Sequence, residues 1–184
     1  MMIDYVTLLL INMTAGYFLL SCFVWQGLDR ADNPALGNWA PAFAIVGLVA
    51  AVCGFVMTFT WPLPKPYSMA FGEMSVLFGV LFLGAALALA RGWKLMPLTV
   101  YGLVAGVAAI VVGAGILKNG LTQLPPLTCI GFILSGFAGI ASPFVVWQYK
   151  NKNLRVIASL VLLATSGIWA FIAMGGYWMH RAAK

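Results

Sequence analysis

Few side chains in this sequence could do chemistry, and one stands out by its position. Glu73 lies in Tyr67-Ser-Met-Ala-Phe-Gly-Glu73-Met-Ser75, where an apolar block has already begun. A carboxylate is costly to hold inside a membrane, so an intramembrane one is a functional candidate by default. If a helix starts near Met69, Glu73 sits roughly 6 Å along it. There it would serve as a vestibule charge, a proton-sensing group or a hydrogen-bond acceptor for a substrate. The competing reading is a first-turn carboxylate at the interface, favoured by the helix dipole. The residues leave both open.

Asn12 and Thr14 lie deep in the first apolar block. They either meet a substrate or hydrogen-bond between helices, which is worth about 0.6–2 kcal/mol in a membrane. Thr58, Thr60, Trp61 and Tyr67 flank Trp-Pro-Leu-Pro-Lys-Pro. They form either a rigid mouth over a bundle or part of an interfacial aromatic belt. His180 is the one histidine, in the tail beside Arg181. Cys22, Cys53 and Cys129 each stand alone in an apolar run, with no zinc-ligand spacing. No histidine lies at depth to hold a haem. No phosphate loop and no Ser/His/Asp set occur. The expectation is therefore no metal, no cofactor and no catalysis by this chain alone.

The elements that must position these residues follow from composition. The chain has 184 residues, 63% hydrophobic and 8% charged. Its mean hydropathy is +1.01. A soluble domain carries about 25% charged residues to cover its surface, so lipid is the solvent that fits. Six apolar blocks are long enough to span, each near 20 residues: about 5–25, 39–60, 69–90, 98–117, 127–147 and 156–178. The fold class is an all-α integral membrane protein, a bundle of six transmembrane helices in one domain. Breaks fall at Gln26 to Asn38, Trp61 to Ser68, Arg91 to Pro97, Lys118 to Pro126 and Gln148 to Arg155. Aromatics gather at block ends, as in an interfacial belt.

The net charge is +6. Its Lys and Arg residues are scattered singly over the connections, so nucleic acid is not an expected partner. Arg30, Arg91, Lys94, Lys150, Lys152 and Arg155 fall on one side, and Lys65, Lys118, Arg181 and Lys184 on the other. The positive-inside rule then puts both termini outside. Small residues predict close packing: Gly102 and Gly106 form a G-x-x-x-G, and Gly131, Ser135 and Gly139 form a stripe. These faces also predict a homo-oligomer. Phe43, Gly47 and Phe55 echo Phe132, Gly136 and Phe144 at an offset of 89 residues, which predicts a three-plus-three repeat.

Met57-Thr-Phe-Thr-Trp-Pro-Leu-Pro64 and Phe71-Gly-Glu-Met-Ser-Val-Leu-Phe-Gly79 resemble a prokaryotic membrane family, domain of unknown function 981, over nearly the whole chain. Phe71-Gly72, Leu77-Phe-Gly79, Trp93, Pro97, Tyr101 and Leu103 are more distantly similar to the bacterial urea and amide channels. That likeness implies six helices, outside termini and a hexameric ring with one pore per protomer. The segment Val80-Leu-Phe-Leu83 is apolar where those channels carry Thr-Tyr. Asn33-Pro34-Ala35 is similar to an Asn-Pro-Ala motif of acetate-type transporters, although here it follows the first helix. Two functions are expected to compete. One is a channel or transporter for small solutes (small amides, protonated weak acids or gases) in a prokaryotic cell membrane. The other is a non-catalytic subunit or scaffold of a larger membrane complex.

Overall fold

A computed structural model describes residues 5–28, 34–63 and 66–182. Asp29, Arg30, Asp32, Asn33, Lys65 and Lys184 lie outside them, as do the side chains of Pro34, Ala35, His180 and Arg181. Among the described residues, six helices are long and apolar enough to cross a membrane. Helix α1 (Tyr5–Cys22) runs into a π-helical turn (Phe23–Gly27). A 3-10 turn (Pro34–Trp39) leads into α2 (Ala40–Thr60). A π-helical turn (Ser68–Glu73) opens α3 (Met74–Arg91). Helices α4 (Met96–Asn119), α5 (Pro125–Trp147) and α6 (Lys152–Ala182) complete the bundle. Among the described residues there is no strand.

The sixth helix begins four residues before the expected 156. Asn151 explains the difference. Its side-chain oxygen accepts from the Leu154 N–H at 3.2 Å, and its carbonyl accepts from Arg155 N–H. Three polar residues thereby join the helix. Pro97, Pro125 and Pro126 start helices rather than only ending loops, because the first turn needs no N–H donors.

Three antiparallel pairs make the tightest seams: α2 with α3, α4 with α5, and α6 with α1. Thinner contacts of α1 with α2, α3 with α4 and α5 with α6 close the ring. The three tight seams share one register. A Cβ added at Gly47 would lie 2.7 Å from Leu83 N and 2.9 Å from the Gly79 oxygen. At Gly106 it would lie 2.9 Å from Ile140 N and 2.5 Å from the Gly136 oxygen. Seven residues further on, Gly54 faces the Gly72 oxygen and Gly113 the Cys129 oxygen, at 3.0 and 3.2 Å. In the third seam serines occupy the same places. Ser159 Oγ donates to the Ser21 carbonyl at 2.8 Å, and Ser166 Oγ donates to the Thr14 carbonyl at 2.9 Å. Ser159 thus matches Gly47 and Gly106, and Ser21 matches Gly79 and Gly136.

The bundle is therefore three helix pairs in a ring. The three-plus-three repeat expected from the offset of 89 does not describe it: α2 packs through glycines on α3, whereas α5 does so on α4. With small residues at the seam, backbones approach closely enough for dispersion and hydroxyl–carbonyl bonds to hold helices that lipid would otherwise solvate equally well.

Candidate functional site

The ring encloses a cavity of about 450 Å³. Its depth is set by equivalent positions of the three pairs. Leu20, Phe78 and Ser135 share one level, Phe23, Leu81 and Ala138 the next, and Val24, Phe82 and Gly139 the one beyond. All nine line the cavity. Helix α1 with its π-helical turn, and α3, carry large side chains at these levels, and α5 carries small ones. The empty volume exists because α5 leaves it.

The cavity reaches one end of the bundle, where Leu89, Leu95 and Leu154 line it. The other end is packed shut. Met57, Ile116 and Trp169, equivalent in the three pairs, are all 0% exposed. Phe71, Phe132 and Trp169 meet across the centre, with ring centroids 6.0 and 5.2 Å apart. A hydrogen-bonded node joins this apolar floor to the cavity. Trp169 Nε1 donates to Ser135 Oγ at 3.1 Å, and Ser135 Oγ donates to the Gly131 carbonyl at 2.7 Å. The buried Tyr17 hydroxyl also has Ser135 as its side-chain partner.

Two further hydroxyl residues, Ser142 and Thr99, line the cavity at the α4–α5 seam. Ser142 Oγ donates to the Gly139 carbonyl at 2.7 Å and lies 3.5 Å from the Thr99 carbonyl. Pro143, inside α5, is the cause. It has no N–H to give Gly139, and the Ser142 hydroxyl supplies the missing donor. Thr99 Oγ1 donates to the Met96 carbonyl at 2.7 Å. Among the described residues, no Lys, Arg, Asp or Glu lines the cavity.

The residues singled out from the sequence fall elsewhere. Asn12 is buried, and its Nδ2 donates to the Val46 carbonyl at 2.9 Å, joining α1 to α2. Thr14 Oγ1 donates to its own helix at Leu10. Thr58 and Thr60 do the same at Gly54 and Val56. Trp61 caps α2 in the left-handed region at φ 47° and is exposed. Tyr67 is half-buried at the start of the turn before α3. Glu73 is exposed at the end of that turn. Ser68, fully buried, ties the proline loop down by accepting from Leu63 N and donating to Leu63 O. Thr58, Thr60, Trp61, Tyr67 and Glu73 all belong to the closed end, and none lines the cavity.

The packing residues are used inside the chain. Gly102 and Gly106 meet Gly136 and Gly139, and a Cβ added at Gly131 would lie 3.0 Å from the Trp169 ring. Ser135 departs from a packing role, since it both holds Trp169 and lines the cavity. Thr99, Ser142 and Pro143 were missed in the sequence. A serine before a proline inside an apolar block was the available signal.

No group of three or more His, Cys, Asp or Glu able to hold a metal occurs among the described residues. No curated protein and no solved structure matches the chain, so the likeness to urea and amide channels finds no support. A family model does match, over residues 1–183: this multi-pass membrane chain belongs to the family described as "Protein of unknown function (DUF981)".

Proposed function

We propose that the protein is a transporter of small uncharged solutes, acting as a carrier rather than an open channel. One observation carries this reading: a central cavity of about 450 Å³ that reaches one end of the bundle and stops at a packed floor. Ligand pockets commonly run 300–1,000 Å³, apolar with a few placed polar groups. An open pore would need a continuous lumen past Met57, Ile116 and Trp169. A charged solute would have to shed its water without a counter-charge, at a cost of many kcal/mol. A neutral solute would not.

The alternative, a scaffold or subunit of a larger complex, rests on the scarcity of buried polar groups and on the many small-residue faces. The faces at Gly47, Gly79, Gly102, Gly106 and Gly139 are occupied within the chain, which weakens the second ground, whereas Gly115, Gly167 and Gly175 meet nothing within 4 Å. The same fact narrows the case for a homo-oligomer, hexameric or otherwise, to the lipid-facing surface. The solutes expected from the sequence, small amides and protonated weak acids, fit an uncharged cavity.

The test is uptake into proteoliposomes. Flux of an uncharged solute such as acetamide should saturate with concentration, and Ala138→Leu should slow it at least tenfold. That variant puts on α5 the side chain α3 carries at Leu81. Uptake no faster than in protein-free vesicles, across amides, alcohols and protonated acids, overturns the proposal.

A further inference from the structure

The cavity wall is not continuous around the ring. Between α5 and α6, Phe137, Ala141 and Phe144 on one side and Ile157 and Val161 on the other line the cavity and are themselves exposed. At the α3–α4 seam the corresponding lining residues, such as Leu81, Leu98 and Ala105, are partly buried. At the floor α5 and α6 are joined, Gly131 packing on the Trp169 ring and Trp169 Nε1 donating to Ser135. The two helices therefore part towards the open end, and the gap between them is walled by apolar side chains at the depth of the acyl chains.

The polar groups inside are equally one-sided. Ser142 and Thr99 each commit their only hydroxyl hydrogen to a helix carbonyl. A hydroxyl has one hydrogen and two acceptor lone pairs. Both oxygens can therefore accept from a ligand but have no hydrogen left to give. Ser135 gives its hydrogen to Gly131 and already has Trp169 and Tyr17 as partners, so it leaves a ligand nothing to pair with. A molecule seated against α5 meets acceptors only. Its own polar group must be a donor, or that group goes unpaired in an apolar site and costs free energy.

Together these features name a ligand. We infer that the cavity takes a neutral, mostly apolar, membrane-dissolved molecule with one hydrogen-bond donor, an alcohol or amide. It enters sideways between α5 and α6 and donates to Ser142 or Thr99. This rests on the carrier reading for what happens next, but binding and entry stand without it. The cavity's position is not incidental, because the small side chains of α5 stand at levels where the other two pairs carry leucine, phenylalanine and valine.

The test uses the whole protein in lipid nanodiscs, with empty nanodiscs subtracted for partition into lipid. Three probes of similar length are titrated calorimetrically: 1-decanol, its isosteric ether 1-methoxynonane, and decanoate at pH 8. Decanol should bind at least tenfold tighter than the ether, and decanoate should not bind. Ser142→Ala, or Thr99→Val as a second variant, should pull decanol down towards the ether. Ala141→Trp, which narrows the gap, should slow decanol association in stopped flow with little change in its dissociation constant. Equal binding of alcohol and ether by the native protein overturns the donor assignment. Tighter binding of decanoate overturns the neutral class. An association rate untouched by Ala141→Trp overturns the lateral route. Binding with the predicted ratio but no flux would sink the carrier reading alone, and flux without the ratio would sink this one alone.

Discussion

At Gly106 a methyl group has nowhere to go. Its Cβ would lie 2.5 Å from a backbone oxygen of the partner helix, and helix backbones do not give way as side chains do. Gly106→Ala should therefore destabilise the protein by about 1–3 kcal/mol, read from thermal unfolding in mild detergent. Gly115 supplies the contrast, since nothing lies within 4 Å of its added Cβ. There Gly115→Ala should stabilise by about 0.5–1 kcal/mol through the helix backbone. Equal effects at the two sites would refute the seam. Glu73 gives a third residue-level outcome. It is exposed on the turn before α3 and does not itself line the cavity. Flux against pH for Glu73→Gln should overlay the wild type, whereas a lost pH response would restore the vestibule role.

Helix α5 sets the site at the scale of elements. Pro143 removes a backbone donor, Ser142 replaces it, and the exchange fixes what the cavity can accept. Pro143→Ala should restore the N–H to Gly139 and free the Ser142 hydrogen. An interior proline costs a helix about 3 kcal/mol, part of which Ser142 already offsets, so the variant should be more stable than the wild type. Its preference should also shift, because a freed hydroxyl can donate to an ether. A decanol-to-ether ratio unchanged by Pro143→Ala would break that link. The seams imply which bodies move if the carrier cycles. Pairs locked backbone to backbone move as units, and the thinner α1–α2, α3–α4 and α5–α6 contacts yield.

On the scale of the molecule, the open end carries Arg91, Lys94, Lys150, Lys152 and Arg155 among the described residues. From the positive-inside rule we propose that this end faces the cytoplasm and both termini face outside. A cysteine introduced in the C-terminal tail should be labelled by an impermeant reagent in intact cells. Labelling only after lysis would reverse the orientation and with it the face from which the cavity is reached.

Composition and block length alone determined the class, the number of helices and their approximate ends, because a bilayer admits few solutions for so apolar a chain. Glycine spacing likewise marked Gly102, Gly106 and Gly139 as contact points. Which helix each glycine meets was not legible. The spacing G-x-x-x-G states that a face is small and says nothing of its partner, so faces read as open to another copy turned out to be filled within the chain. The candidate site was illegible for a related reason. Polarity drew attention to Glu73, Thr60, Trp61 and Tyr67, which lie at the surface or near it. The cavity instead arises where three helices reach the same level and one of them carries Ser135, Ala138 and Gly139 opposite larger side chains. Empty space is a property of what stands opposite, and only the tertiary structure decides what stands opposite.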